Sequence, residues 1–354
     1  MFPAASGGEA GQWCHDGKGN GHHLAAVTER ELQVINDIQT QRSAADGKAA
    51  YISAPDDIKS SRAVVMTFVQ RFWSELGEVA MPLREEVDVI LAALRNCPST
   101  DSRKRCFRAV PEPDVLSADK GFMLQAMQVD PHLIEVASAA LMKDREFILS
   151  AASLAGLTTL HHAEVFRGDR DVVLAAVQQN GQALMWATEE LKDDLHIALA
   201  AVQNNADAVN EVSQRLRGVK DVMLLAVQQK GELLRLASDD LKEDLEVVQA
   251  ALAQGGKALE HVGGAVKADR ELVKSAIRDC GRVFEHASEG LRSDKELLLL
   301  ALSDKNSYGW PFRFASAALR DDPEALLAAL SHQAQLLRFV ETRSWRCLPL
   351  RLMV

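Results

Sequence analysis

The sequence lacks any apolar run long enough to cross a membrane. Its longest apolar runs, such as 297–302, fall far short of the roughly 20 residues that a spanning helix needs. The first 21 residues also lack a basic segment followed by an apolar one, so no secretory signal is expected. We therefore expect a soluble protein, cytoplasmic or otherwise intracellular, with no membrane partner.

Cysteine is scarce and scattered. Five cysteines occur without a single C-x-x-C pair, which indicates free thiols in a reducing compartment and excludes a disulfide framework. Cys14 lies near His15, His22 and His23, but the spacing fits no zinc motif, so we expect no metal there.

Positive charge is in the minority. Forty Lys and Arg residues face fifty Asp and Glu residues, a net charge of -10, which opposes general binding to nucleic acid. The sequence also lacks a Gly-rich phosphate loop, a G-x-S-x-G motif and an H-E-x-x-H motif. We expect no enzymatic activity and no cofactor.

Aromatic residues make up only 5% of a chain that is 47% hydrophobic. Such a composition favours an aliphatic, alanine-rich core of closely packed helices. One segment departs from this pattern, 306–314, which reads N-S-Y-G-W-P-F-R-F. Its aromatic side chains either fill the core or anchor a partner, and we favour filling because an exposed set would promote aggregation.

A 25-residue repeat dominates the rest of the chain. We name each repeat by its first residue and number its positions from 1 to 25. Strictly spaced repeats begin at 119, 144, 169, 194, 219, 244, 269 and 294. A three-residue expansion near 306–314 delays the last repeat to 322, and degenerate repeats precede 119, which gives twelve in all.

The first half of each repeat predicts a helix, which we call helix A. Position 1 is Asp in seven of the eight strict repeats, and Asp is a preferred N-cap. Positions 4, 5, 8 and 9 are apolar, as on one face of a helix. Position 8 is Ala in all eight repeats, which indicates that neighbouring repeats approach closely there.

The second half predicts another helix, helix B. Position 13 is Gly in five strict repeats, and we interpret it as a left-handed residue that ends helix A. Positions 16, 19 and 23 are apolar at helical spacing. A hairpin of this size cannot bury its own apolar surface, so the repeats must stack. The predicted fold class is all-α, an α-solenoid of stacked 25-residue helical hairpins.

We divide the chain into four parts on this basis. Residues 1–24 form a disordered Gly-rich tail, and 25–118 hold degenerate helical repeats with an insertion near 98–113. Residues 119–321 hold the regular repeats, and 322–354 hold the last repeat and a C-terminal tail. The insertion contains Arg103, Lys104, Arg105 and Arg108, which predict a solvated loop or a short regulatory or targeting segment.

The repeat resembles a known family. Its pattern, D-R-x-V-V-L-A-A-V-x-Q-x-G-x-A-L-x-x-A-[ST]-x-x-L, is similar to the tandem unit of domain-of-unknown-function family 4116. The resemblance is strong over 119–294 and weaker over 61–118 and from 322 onward. Two repeats depart from the pattern, with His162 in place of Ala and Ala206 in place of Gly. The resemblance implies tandem helical repeats and brings no catalytic residue.

Positions 17 and 18 of helix B vary while the apolar columns stay constant, as expected of a partner-binding surface. Unrestrained solvent-facing residues would vary in the same way. Trp186 and Met185 favour binding, because an exposed Trp is typical of interface anchors. We call the predicted binding residues the ridge: Met185, Trp186, Arg235, Leu236, Glu260, His261, Glu285 and His286.

Two adjacent Glu-His pairs of the ridge could offer metal ligands, but their spacing matches no metal motif, so we expect no metal there. The function we expect is a non-catalytic scaffold that binds an unidentified protein partner through the ridge. The alternatives are a structural or regulatory repeat region with no ligand, and a helical-repeat RNA binder, which the acidic charge opposes.

Overall fold

The computed structural model describes residues 27–40 and 44–330. Every regular element in these ranges is a helix, and no strand occurs in them, which confirms the all-α prediction. The predicted tail 1–24 and the segment 331–354 lie outside the described residues, as do Cys14, His15, His22, His23 and Cys347. The chain divides into two compact units between Asp144 and Arg145.

The first unit contains short helices and includes the strict repeat that begins at 119 as well as the residues before it. Its α-helices are α1 (Glu29–Thr40), α2 (Ala44–Ile52), α3 (Asp56–Lys59), α4 (Arg62–Arg71), α5 (Val87–Asn96), α6 (Thr100–Arg108), α7 (Pro113–Ala118) and α8 (Lys120–Val129). Short 3₁₀ segments span Trp73–Glu78, Leu83–Glu85, Pro131–Val136 and Leu141–Lys143.

The predicted solvated loop in the insertion is wrong, because its basic run lies on α6. Ser99 caps this helix by accepting the backbone N–H of Ser102. Arg103 donates to the Leu94 carbonyl at 3.1 Å and pairs with the buried Asp130 at 3.0 Å, while Lys104 pairs with Glu135. The basic side chains of α6 thus make contacts within the unit.

The second unit repeats one pattern from Arg145 onward. Its α-helices are α9 (Arg145–His162), α10 (Arg170–Gln179), α11 (Glu189–Lys192), α12 (Leu195–Asn204), α13 (Lys220–Gln229), α14 (Asp239–Glu243), α15 (Leu245–Gln254), α16 (Arg270–Asp279), α17 (Lys295–Ser303), α18 (Ala317–Arg320) and α19 (Pro323–Leu330). Its 3₁₀ segments are Glu164–Phe166, Gly181–Trp186, Ala206–Asn210, Leu216–Gly218, Gly231–Leu236, Gly256–His261, Val266–Ala268, Gly281–His286, Leu291–Ser293, Lys305–Ser307 and Trp310–Phe314.

Helix A begins at position 2 because the Asp at position 1 caps it. In the repeat at 169, Asp169 Oδ1 accepts the backbone N–H groups of Asp171 and Val172 at 3.1 and 3.2 Å. The same two contacts recur at Asp194, Asp244 and Asp269, and Asp294 accepts the backbone N–H of Leu297 alone. The repeat at 219 carries Val219 there and has no side-chain cap. The capping role predicted for position 1 is present in the structure.

Helix B is not a single α-helix, so the prediction of a two-helix hairpin needs correction. In the repeats at 119, 169, 219, 244 and 269, positions 13–18 form a six-residue 3₁₀ segment, such as Gly181–Trp186. The segment has five residues in the repeat at 194, and in the repeat at 144 it is α-helical after an interruption at Ala155. In the repeat at 169, Ala187 at position 19 then takes an extended conformation, with φ -69° and ψ 156°, and ends the segment. A second short turn, α11 in this repeat, completes the unit. Two short turns replace one helix because the extended residue interrupts the hydrogen bonding.

The core of each repeat is aliphatic, as predicted from composition. In the repeat at 169, Val172, Val173, Ala176 and Val177 are all fully buried. Position 16 is buried as expected, and Leu184 is 0% exposed. Position 15 is equally buried, at Ala183, Leu233, Ala258 and Val283, although its periodicity alone did not mark it as core.

Consecutive repeats approach most closely between position 13 of one repeat and position 8 of the next, a contact that we call the joint. A Cβ atom on Gly181 would lie 2.2 Å from the carbonyl oxygen of Ala201. The matching distance is 2.3 Å at Gly156, Gly231, Gly256 and Gly281. Because carbon and oxygen cannot approach so closely, only Gly fits these joints as they stand.

The left-handed role predicted for position 13 is wrong. In the described part of the chain, the glycines with a positive φ are Gly255 and Gly309. None of the five joint glycines between strict repeats has a positive φ. The close approach predicted for the Ala column is present, and the surface opposite it is the Gly of the preceding repeat. Gly and Ala are thus two sides of one contact.

Candidate functional site

The ridge lies at the end of each long 3₁₀ segment. Positions 15 and 16 point into the core, so positions 17 and 18 project from it. Met185, Arg235 and Glu260 at position 17 are exposed. The other ridge residues are half-buried: Trp186, Leu236, His261, Glu285 and His286.

Trp186 is less available than the sequence suggested. The His161 ring meets it edge-on, with ring centroids 4.7 Å apart. The guanidinium carbon of Arg167 lies 5.0 Å from the Trp186 ring centroid, a favourable cation–π distance. Trp186 therefore packs within its own unit, and its neighbour Met185 is 46% exposed.

Two adjoining clefts open along the ridge. The first cleft has a volume of about 590 Å³, and its ridge residues are Arg235, Glu260 and His261. The second cleft has a volume of about 310 Å³, and its ridge residues are Glu260, His261, Glu285 and His286. Glu260 and His261 line both clefts, so the two clefts adjoin, and together their linings draw on the repeats at 219, 244 and 269.

The two histidines of the second cleft differ in their surroundings. Burial lowers the pKa of His261, and the nearby positive charge of Arg235 lowers it further against the opposing effect of Glu260. His286 Nε2 lies 3.7 Å from Glu285 Oε1. At neutral pH the His261 ring is therefore uncharged, and it contributes a polar but neutral wall.

The aromatic segment 306–314 is divided between core and surface. Phe312 is fully buried at the place of Leu184 in the reference repeat, while Tyr308 is 64% exposed. Trp310 is half-buried and donates its indole N–H to Glu285 Oε2 at 3.2 Å. Phe312 thus fills the core as we favoured, while Trp310 supports the ridge from the next repeat.

A ladder of ion pairs crosses the joints, and the sequence analysis missed it. A basic residue at position 2 pairs with acidic residues at positions 1 and 3 of the following repeat. The pairs are Arg145 with Asp169 and Asp171, Arg170 with Asp194, Lys220 with Asp244 and Glu246, Arg270 with Asp294 and Glu296, and Lys295 with Asp322 and Glu324. Between the repeats at 194 and 219 both charges are replaced, by Leu195 and Val219. Comparing columns across neighbouring repeats would have revealed this pairing.

A basic column at position 24 was also missed. It contains Arg167, Lys192, Arg217, Lys242, Lys267 and Arg292, one in each of six consecutive repeats. Arg167 donates to the His161 carbonyl at 2.7 Å, Arg217 to the Asn210 carbonyl at 3.0 Å, and Lys267 to the Glu260 carbonyl at 2.9 Å. These side chains satisfy carbonyls that the end of the 3₁₀ segment leaves unpaired. Arg167, Arg217 and Lys267 therefore support the backbone next to the ridge, whereas Lys192 and Lys242 pair with Glu189 and Asp239.

Comparison with protein families gives three tandem matches to one model, described as Domain of unknown function (DUF4116), at residues 169–217, 220–264 and 269–320. Residues 169–320 are a tandem array of DUF4116 repeats. Each DUF4116 match covers about two of the 25-residue repeats and includes ridge residues. The similarity predicted for 119–168 lies outside these matches and stays a prediction. No curated protein and no solved structure matches the chain.

The described helices are all too short or too polar to cross a membrane. The clefts are open to solvent and lined mainly by charged and polar groups. Small-molecule sites are typically enclosed and mostly apolar, so these clefts differ from a typical small-molecule pocket.

Proposed function

We propose that the chain is a non-catalytic repeat scaffold that binds partner proteins through the ridge, with its repeats stacked as an α-solenoid. The observation that carries the proposal is the placement of Arg235, Glu260, His261, Glu285 and His286 around two adjoining clefts. These five residues come from three repeats, so the surface depends on stacking. Repeat proteins commonly use such surfaces for recognition.

The alternative is a structural repeat region with no ligand of its own. The packing of Trp186 between His161 and Arg167 favours it, because this side chain already has partners within the unit. Three ridge residues discriminate between the two functions: Arg235, Glu260 and His286. Each of them lines a cleft, and no other part of the described chain fills that cleft.

Co-purification from the native cell tests the proposal. The ridge variant carries Arg235→Ala, Glu260→Ala and His286→Ala, and we expect it to lose partners that the parent retains. The matched control carries Gln178→Ala, Gln203→Ala and Gln228→Ala, which are exposed at position 10 and line neither cleft. Both variants should keep the parent's melting temperature. An unchanged partner set in the ridge variant would eliminate this surface.

A further inference from the structure

Two buried cysteines lie together in the first unit, and the proposed function makes no use of them. Cys97 follows the last residue of α5 and is 2% exposed, while Cys106 lies in the second half of α6 and is 4% exposed. Both are free thiols. A single buried thiol behaves as a small apolar side chain, so the informative feature is that two of them meet.

The packing of α6 on α5 brings the two thiols to the same place. Arg103 on α6 donates through Nε to the Leu94 carbonyl oxygen at 3.1 Å, in the last turn of α5. Cys106 follows Arg103 by three residues and therefore lies on the same face of α6. Cys97 Sγ lies 3.3 Å from the Ala93 carbonyl oxygen, in that same last turn. Cys106 thus faces the turn of α5 beside which Cys97 lies.

The two thiols form a hydrogen bond with each other. This hydrogen bond lowers the pKa of Cys97 and raises the pKa of Cys106, so Cys106 is the donor and Cys97 the acceptor. Burial opposes ionisation of both thiols, whereas the positive charge of Arg103 favours the thiolate of Cys97. Because the thiolate is the reactive form, Cys97 is the thiol that reacts first with an oxidant, and Cys106 is placed to resolve the product.

We propose that Cys97 and Cys106 form a reversible disulfide in the presence of hydrogen peroxide. The Cys97 thiolate attacks one peroxide oxygen and the O–O bond breaks, which leaves a sulfenic acid on Cys97. The departing hydroxide takes up the proton released by Cys97 and becomes water. The Cys106 sulfur then attacks the Cys97 sulfur, the S–O bond breaks, and the hydroxyl leaves with the Cys106 proton as a second water. The two thiols together lose two electrons, which reduce one peroxide.

Burial slows the first step but favours the second. The helix α6 has nine residues, and short elements open locally at a lower free energy than the whole chain. Such an opening admits a molecule as small as hydrogen peroxide, while Cys106 already lies beside Cys97 when the sulfenic acid forms. The disulfide would tie the end of α5 to α6. It is compatible with a reducing compartment, where disulfides are transient rather than structural.

Mass spectrometry of the full chain tests this inference. The reduced protein is treated with hydrogen peroxide, its remaining thiols are alkylated, and it is digested with trypsin. Cleavage after Arg95, Arg103 and Arg105 places the two cysteines on separate peptides, 96–103 and 106–108. We expect these peptides to be joined, with the loss of two hydrogen atoms, and dithiothreitol to separate them. Alkylation of the two cysteines should be lost together.

Two comparisons distinguish the fold from mere proximity along the chain. Oxidation in urea keeps the sequence spacing but removes the packing of α6 on α5, so we expect much less of the joined product. Cys280→Ser is the matched control variant, because Cys280 is half-buried in the second unit, and it should give the same joined peptides as the parent. Equal yields from folded and unfolded chains would overturn the inference. Continued alkylation of Cys97 and Cys106 after Cys280 has been oxidised would overturn it as well.

The role of Cys106 is tested by Cys106→Ala. Without a resolving thiol, Cys97 should accumulate as a sulfenic acid, which dimedone traps, whereas the parent should show little dimedone label at Cys97. Equal labelling of Cys97 in the parent and the variant would contradict resolution by Cys106. The joined peptides of the parent chain remain the primary readout, so the test does not depend on the stability of this variant.

Discussion

The joint and the ridge belong to the same repeats but leave different amounts of room. At five joints a single added carbon atom would lie 2.2–2.3 Å from the carbonyl oxygen of the next repeat. At position 18 of the ridge, Trp186, Leu236 and His261 occupy equivalent places. The joint thus restricts residue type through backbone contact, whereas the ridge accepts side chains of any size. Stacking and the proposed recognition through the ridge are therefore separable by mutation.

The largest effect is expected at the joint. Gly231→Ala should lower the free energy of unfolding by about 3 kcal/mol or more, because the new methyl group meets backbone rather than a movable side chain. Gly264→Ala is the matched control, with open space around its Cβ, and should change it by less than about 0.5 kcal/mol. Urea denaturation of both variants provides the measurement.

One joint shows how this prediction could fail. The repeat at 194 carries Ala206 at position 13, and this residue is 1% exposed. If neighbouring joints can adjust in the same way, Gly231→Ala will cost less than about 1 kcal/mol, and the joint will prove less strict than its geometry indicates.

The other side of the joint should be the next most sensitive. Ala226→Leu should destabilise the chain by about 1–3 kcal/mol, because Ala226 is fully buried where consecutive repeats meet. Thermal melting checks this, with Gln228→Leu on the exposed side of the same helix as control. A variant that melts with the parent would show that the Ala column does not set the spacing.

Removing a helix cap should have a smaller effect. Asp194→Ala and Asp269→Ala should each cost about 1 kcal/mol, because both carboxylates accept two backbone N–H groups. Asp194 also pairs with Arg170, whereas the residue equivalent to Arg170 before Asp269 is Leu245. Asp194→Ala should therefore be the more damaging of the two in a chemical denaturation series, and the reverse order would deny the ladder any role in stability.

The smallest effect on stability is expected when ion pairs of the exposed ladder are removed, and this effect should depend on pH. The hydrogen bond from Arg145 lowers the pKa of Asp169, and that from Lys295 lowers the pKa of Asp322. A carboxylate whose pKa is lower in the folded chain than in the unfolded chain, where it is about 3.9, stabilises the fold at any pH above that unfolded-state pKa. This stabilisation is lost as the pH falls through the folded-state pKa. The double variant Arg145→Met, Lys295→Met should melt about 1 °C below the parent at pH 6. The two should converge near pH 2, and a gap that persists in acid would assign the effect to packing.

The sequence predicted the helical class, the repeat length and the caps because each depends on local spacing within one repeat. Helix A follows from Asp169 and four apolar positions, and the structure reproduces it. The 3₁₀ form of Gly181–Trp186 did not follow, since apolar spacing over six residues does not distinguish 3₁₀ from α. The reason for Gly181 was missed because the atom that excludes a side chain belongs to Ala201 in the next repeat.

The ridge shows the same limit. Its residues were identified because positions 17 and 18 differ from repeat to repeat. That difference does not show that Trp186 packs against Arg167 or that Glu260 borders open clefts. Both facts depend on neighbouring repeats and on the turn that follows each 3₁₀ segment. Predictions within one repeat were therefore more accurate than predictions between repeats.

Photo-crosslinking in the native cell tests the central claim most directly. A photoreactive amino acid placed at Glu260 on the ridge or at Gln228 on the exposed side of helix A reports what touches each surface. Recognition through the ridge predicts crosslinks to other proteins from Glu260 and none from Gln228. Crosslinks from Gln228 alone, or none from either position, would contradict it.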